Sequence, residues 1–162
     1  MAEKRIEDAF NAFFTGDSLR NALDFAEYIK ANGMTYDGEY EIHYNGKLAC
    51  YINTPSDESQ MWSIWTVGDY SKAYEEYPID ERAKAIAWAN VVHCGNCDGT
   101  DCDPGKTETI FGKEFANVCR GADSIAMRFI NPDAEALECA KIMVGMRKFL
   151  LDGVRDTAVR RA

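Results

Sequence analysis

The sequence predicts an α+β fold, in which helices pack mainly on one face of an antiparallel β-sheet of about four strands and a metal ion clips a cysteine loop. Three observations predict this fold. Apolar residues recur every three or four positions in some segments and alternate in others, which indicates helices and strands. Turn signals separate neighbouring strand segments. Four of the six cysteines lie between His93 and Cys119.

Length and composition fit a single domain. The 162 residues are 46% hydrophobic and 12% aromatic, which is enough to build a buried core. We assign residues 1–153 to one α+β domain with the zinc-binding loop 93–119 inserted in it, and residues 154–162 to a C-terminal tail.

The charge balance limits the partners that we expect. A formal net charge of -9 repels phosphate backbones and anionic lipid, so neither nucleic acid nor a membrane is expected as a partner. The first residues lead directly into an amphipathic segment, and no apolar window is long enough to span a bilayer. We therefore expect a cytoplasmic protein with reduced thiols. The sequence does not indicate an oligomeric state.

Helical spacing of apolar residues predicts four helices. Asp80 is the expected N-cap of the third, which runs to about Val92 and has almost no polar face, so we expect it to be central and buried. Asn131 is the expected N-cap of the fourth, which should end at Gly153. The first two predicted helices cover the apolar stripes Ile6–Phe13 and Leu19–Ile29, the second ending at Gly33.

A β-hairpin is predicted around Asn45-Gly46, a dipeptide that favours a type I′ turn. A two-residue turn pairs Ile42 with Ala49 and Tyr40 with Tyr51. Further strands are predicted over Met61–Val67 and Ser124–Phe129, and a small hairpin is predicted to return to Cys119.

The cysteine loop has the composition of a zinc site. Cys94 and Cys97 form a Cys-x2-Cys knuckle, and Cys102 and Cys119 follow it. Zinc prefers four tetrahedral ligands such as thiolates, and a site closed by four protein ligands is structural rather than catalytic. We therefore predict a structural Zn²⁺ bound by Cys94, Cys97, Cys102 and Cys119.

Other interpretations of the loop stay open. His93 could replace Cys102 as a ligand, although capping or packing is favoured for a residue at the end of a helix. An iron–sulfur cluster also uses four thiolates, but its common spacings do not occur here. A disulfide or redox pair is disfavoured by the expected cytoplasmic location. Cys50 and Cys139 fit small buried residues.

Aromatic residues suggest a pocket for a small organic ligand. The pocket candidates are Tyr40, Tyr51, Trp62, Trp65 and Trp88, for which plain core packing is the favoured alternative. His43 with Glu41 could form a proton-transfer pair, but exposed strand faces produce such pairs by default. Because familiar catalytic motifs are missing from the sequence, no catalytic residue is assigned.

Several stretches resemble a known family. Asn45-Gly46-Lys47, Ala87-Trp88-Ala89-Asn90-Val91, the cysteine loop and Ile110-Phe111-Gly112-Lys113-Glu114-Phe115 are similar to those of a family of small uncharacterised cytoplasmic proteins of anaerobic Gram-positive bacteria. The resemblance implies a bacterial protein whose loop cysteines belong to the family pattern, and it implies no activity.

The sequence thus favours a zinc-stabilised binding or regulatory module with a small-molecule pocket. The alternative is a small enzyme, acting by redox chemistry through the cysteine loop or by acid–base chemistry through His43.

Overall fold

The computed structural model describes residues 5–67, 76–94, 105–119 and 125–161. The helices of these ranges are α1 (Ile6–Phe13), α2 (Gly16–Ala31), α3 (Glu81–Ala89) and α4 (Ala134–Arg161). The strands are β1 (Met34–Tyr36), β2 (Glu41–Tyr44), β3 (Lys47–Asn53), β4 (Ser63–Val67), β5 (Lys106–Ile110), β6 (Lys113–Val118) and β7 (Ile125–Ile130).

The main sheet confirms the α+β class and has one more strand than expected. Its order is β1-β2-β3-β4-β7, and all neighbours are antiparallel. The additional strand, β1, is only three residues long and follows α2 through Gly33, whose φ is +71°. Three residues are too few to show an alternating pattern, so the sequence gives no sign of this strand. Strands β5 and β6 form the predicted small hairpin as a separate sheet.

The β2–β3 hairpin has the predicted turn but not the full predicted register. Asn45 and Gly46 have φ values of 51° and 77°, as a type I′ turn requires, and Tyr44 pairs with Lys47. Beyond His43 a β-bulge shifts the register, so that Ile42 pairs with Cys50 instead of Ala49.

The bulge also removes the predicted pairing of Tyr40 with Tyr51, because Tyr51 pairs with Glu41. Its physical reason is burial: Ala49 and Cys50 are adjacent, yet both are fully buried. A strict alternation would send one of them to the other face of the sheet.

The core lies between one face of the main sheet and the helices. Helix α4 packs across β3, β4 and β7, and α2 packs against α4 and β1. The sheet contributes side chains that alternate along the strands and are fully buried or nearly so, namely Ile42, Ile52, Ile64 and Phe129. We call this the inner face, and the side chains between them define the outer face.

Helix α3 is shorter and more exposed than expected. The Asp80 carboxylate accepts a hydrogen bond from the Ala83 amide at 2.8 Å, which confirms the N-cap. The helix ends at Ala89, and within it only Ala83 and Ala87 are buried. The prediction of a central, buried helix is therefore wrong, because small apolar residues can cover a helix surface without forming a wide packing face.

Helix α4 differs from the prediction at both ends. The Asp133 carboxylate, not Asn131, accepts the hydrogen bond from the Ala136 amide at 2.8 Å. Asn131 has a φ of 43° and accepts a hydrogen bond from the Trp62 amide instead. The helix continues through Gly153 to Arg161, past the predicted start of the tail, because one glycine costs a helix only about 1 kcal/mol.

Candidate functional site

A short segment, residues 91–94, joins the two sheets. Val91 forms an antiparallel bridge with Met127 in β7, and His93 forms one with Val118 in β6. The predicted helix end at Val92 gives way to this segment, which we call the junction. It places the first cysteine of the loop between the main sheet and the small hairpin.

The junction brings Cys94 and Cys119 to the same face of one ladder. The Cys94 amide donates to the Asn117 carbonyl at 2.8 Å, and the Cys119 amide donates to the Val92 carbonyl at 2.8 Å. Cys94 therefore lies opposite Asn117, two residues from Cys119, and residues in this diagonal relation point to one side of a sheet.

Gly105 returns the chain to the junction. A Cβ atom on Gly105 would lie 2.7 Å from Cys94 Cβ and 2.4 Å from Asn117 Oδ1, so the site accepts only glycine without rearrangement. Asn117 donates through Nδ2 to the Cys94 carbonyl at 3.1 Å. Neither residue was predicted as part of the site, although a glycine near a cysteine cluster is a visible signal of close backbone approach.

The structure describes only two of the four predicted zinc ligands, Cys94 and Cys119. Cys97 and Cys102 lie outside the described residues. Within the described ranges, no three His, Cys, Asp or Glu side chains come together as a metal site would require. The structure thus supplies two of the four predicted thiols on one face, and the metal itself stays a prediction.

His93 points away from the two cysteines. Successive residues of an extended chain alternate sides, so His93 lies on the face opposite Cys94 and Cys119. Its Nδ1 is 3.1 Å from the Ala116 carbonyl oxygen, and its ring centroid is 6.4 Å from that of Phe115. The His93 side chain is exposed and contacts β6, so its placement does not favour the ligand interpretation.

Cys50 and Cys139 are buried in the core, as predicted. Burial raises the pKa of each thiol to about 12. The Cys139 thiol donates a hydrogen bond to the Ala83 carbonyl at 3.3 Å. Both side chains are therefore protonated and unreactive at neutral pH.

A transverse row of four side chains crosses the outer face of the main sheet. The strand registers pair Glu41 with Tyr51, Tyr51 with Trp65, and Trp65 with Arg128. We call these four residues the outer row. It begins with a carboxylate, continues through two aromatic rings and ends with a guanidinium.

A cavity of about 300 Å³ opens on the outer row. Its lining is Tyr40, Tyr51, Asn53 and Trp65, and the rings of Tyr40 and Tyr51 are stacked with centroids 5.9 Å apart. Asn53 donates through Nδ2 to Ser63 Oγ at 3.1 Å, which holds its amide in place. Three of the five predicted pocket residues thus meet at one cavity.

The other two predicted pocket residues lie elsewhere. Trp62 is 2% exposed and packs in the core against Phe10, with ring centroids 5.2 Å apart. Trp88 donates from Nε1 to the Ile110 carbonyl at 2.7 Å and so attaches α3 to the small hairpin. Trp62 and Trp65 are three residues apart, and residues at that spacing in an extended chain face opposite sides, so one pocket on the sheet could not hold both.

Arg128 is the one outer-row residue for which no functional role was predicted from the sequence. Its guanidinium carbon lies 4.4 Å from the centroid of the Trp65 ring. Its Nε is buried and has no hydrogen-bond partner within the described part of the chain. Desolvation by burial lowers the pKa of Arg128, although an arginine stays charged at any physiological pH.

His43 and Glu41 lie near the other end of the row. The His43 Nε2 atom is 3.7 Å from Glu41 Oε2, and each side chain is about one third exposed. Solvent reaches both side chains and screens the attraction between them.

A larger cavity, of about 370 Å³, lies between α3 and α4. Its wall is aliphatic and its rim carries Asp80, Glu135 and Glu138. Among the described residues no aromatic ring lines it, and Arg82 and Glu135 on its rim are already bonded to each other. We therefore regard the smaller, aromatic cavity as the better candidate site.

Comparison with known proteins gives no assignment. No protein-family model, curated protein or solved structure matches the chain. The resemblance to a bacterial family therefore stays a prediction. Among the described residues, none of the helices combines the length and apolar character that a membrane crossing needs.

Proposed function

We propose that the protein is a non-enzymatic binding module that holds a small planar molecule on the outer face of its sheet. The observation that carries the proposal is the 300 Å³ cavity lined by Tyr40, Tyr51 and Trp65. Flat aromatic walls favour flat ligands, because stacked or edge-on rings gain contact over a large area. A few fixed polar groups beside such walls orient a ligand, and the held amide of Asn53 is one.

We further propose that a structural zinc ion binds Cys94, Cys97, Cys102 and Cys119. Its support is the common face of Cys94 and Cys119 at the junction. Cys97 is three residues after Cys94, and Cys102 is three residues before Gly105, which touches Cys94. At roughly 3.3–3.6 Å per residue, three residues span at most about 11 Å, so these spacings are short enough for both thiols to take part in a site at the junction.

This zinc ion supports the binding face indirectly. The junction is bridged to β7 through Val91 and Met127, and β7 carries Arg128 of the outer row. Four thiolates leave no coordination position for water or substrate, so the ion stabilises the fold and does not catalyse. A reducing bacterial cytoplasm, which we also propose, would keep the thiols available for zinc.

Ligand binding is tested by thermal melting with a neutral planar probe, naphthamide. We expect naphthamide to raise the melting temperature of the parent, and Tyr40→Ser to reduce the shift strongly. Phe149→Ser is the matched control, because Phe149 is also an exposed aromatic residue but lies on α4. No shift in the parent, or equal shifts in both variants, would overturn the proposal.

An acid–base enzyme is the second candidate. Glu41 is the first residue of the outer row, and His43 Nε2 is 3.7 Å from its carboxylate, so a ligand in the cavity would lie near a proton-transfer pair. If the ligand is turned over, His43→Ala should abolish turnover and leave the melting shift intact. A redox role for the cysteine loop would instead be lost in Cys94→Ser.

A further inference from the structure

Arg128 is a partly desolvated cation that has no acidic partner among the residues the structure describes. Within the described residues no carboxylate lies within ion-pair distance of it, and its buried Nε makes no hydrogen bond. Removing a charge from water without pairing it is costly. The chain has nine more acidic than basic side chains, so a shortage of acidic residues cannot explain why none of the described ones pairs with Arg128.

The position of Arg128 ties it to the cavity. It pairs with Trp65 across β4 and β7, and its guanidinium covers the Trp65 ring at 4.4 Å. The same Trp65 ring lines the cavity, so Arg128 lies at the edge of the cavity and does not form part of its wall. Neighbouring strands are about 4.8 Å apart, so a substituent on a ring bound at Trp65 is long enough to reach Arg128 on the next strand.

The opposite end of the row carries the opposite charge. Glu41 neighbours Tyr51, which lines the cavity from the other side. A second anionic group would meet this carboxylate and be repelled. The outer row therefore favours an anionic group at its Arg128 end and disfavours one at its Glu41 end.

We propose that the ligand of the outer face is a planar aromatic monocarboxylate whose ring occupies the Tyr40–Tyr51–Trp65 cavity and whose carboxylate binds the Arg128 guanidinium. This inference rests on the proposed function, because it assigns a chemical class to the ligand of the same cavity. The guanidinium is suited to this role, since its planar N–H groups match the geometry of a carboxylate. Binding would supply the acidic partner that Arg128 lacks within the described part of the chain.

The experiment compares naphthoate with naphthamide, which share a ring system and differ in charge. Isothermal titration calorimetry of the parent should give naphthoate an affinity about tenfold higher, the range expected for hydrogen bonds to a charged group. Arg128→Met should abolish the preference and leave naphthamide binding near its parent value. Arg128→Lys should retain part of it, because charge remains but the fork geometry is lost.

Lys113→Gln is the matched control. Lys113 Nζ lies 5.3 Å from the centroid of the Trp88 ring, so this variant also removes one cation from an indole, but away from the cavity. It should keep the full preference for naphthoate. If Arg128→Met does not fold, raised salt in the parent tests the charge dependence, because it should weaken naphthoate binding and spare naphthamide, and Arg128→Lys then assigns that charge to position 128.

The outcomes separate this inference from the proposed function. Equal affinities for the two compounds in the parent, or a preference that survives Arg128→Met, overturn the assignment to a carboxylate and leave the cavity as a neutral binding site. Binding of neither compound overturns both proposals.

Discussion

The guanidinium of Arg128 lies 4.4 Å above the ring of Trp65, on the side of the sheet opposite the core. A cation over an indole is attracted by the ring quadrupole, and it also fixes the plane of the ring. Trp65 Nε1 donates to Ser63 Oγ at 3.1 Å, so the ring is held at its edge as well. The wall of the proposed binding cavity is therefore positioned before any ligand arrives.

Zinc content tests the proposed metal site. Protein purified without a metal-chelating tag should contain about one zinc ion per chain, because four thiolates complete a tetrahedral site. Cys119→Ser should lose most of the zinc and make the loop more sensitive to protease. Cys50→Ala should keep the zinc, since Cys50 is buried in β3. Iron in place of zinc, or full zinc content in Cys119→Ser, would contradict the assignment.

Replacing Gly105 should destabilise the protein. In Gly105→Ala, the new methyl group would lie 2.4 Å from Asn117 Oδ1 and 2.9 Å from the Asn117 carbonyl carbon, and backbone cannot move aside easily. Overpacking of this kind costs about 1–3 kcal/mol in the free energy of unfolding. Urea denaturation measures it, and a variant as stable as the parent would show that the junction is not closely packed.

Replacing Gly153 should have the opposite effect. Gly153 lies inside α4, and a Cβ atom there would meet nothing within 4 Å. Gly153→Ala should therefore raise the free energy of unfolding by about 0.5–1 kcal/mol, because alanine loses less backbone entropy in a helix. A lower stability in this variant would indicate that the helix does not continue past this position.

Some elements of the fold could be predicted from the sequence, and others could not. Helix α1, the type I′ turn and the small hairpin were predictable because each depends on neighbouring residues. The β-bulge and the contact between Gly105 and Cys94 depend on packing between distant segments, and no local pattern encodes them.

The residues of the candidate site also include some whose placement could be predicted from the sequence and some whose placement could not. Trp62 and Trp65 could be separated by their spacing alone, because alternation sends them to opposite faces. The role of Arg128 could not be predicted, since it depends on the pairing of β4 with β7, whose sequences are more than fifty residues apart. Trp88 was misplaced because a helical aromatic residue gives no sign of which partner it will meet.

High pH should destabilise the fold through Tyr28 and Cys50. Burial raises the pKa of the Tyr28 hydroxyl from 10.0 to about 12, and that of the Cys50 thiol from 9.0 to about 12. The unfolded chain loses these protons first, so stability is complete below about pH 9 and falls as pH rises toward 12.

Urea melts at pH 8 and at about pH 10.5 measure this loss. Tyr28→Phe removes the hydroxyl, which donates to the Lys141 carbonyl at 2.9 Å, and should make the decline shallower. A decline of the same size in this variant would show that Tyr28 does not contribute.

The most direct measurement of the central claim uses the three tryptophan indole N–H signals in a ¹H–¹⁵N NMR spectrum. They belong to Trp62 in the core, Trp65 on the outer face and Trp88 on α3, so each reports on a different part of the molecule. Titration with naphthoate should shift the Trp65 signal progressively and leave the Trp62 and Trp88 signals in place. Shifts confined to Trp62 or Trp88, or no shift at all at millimolar naphthoate, would contradict a binding site on the outer face.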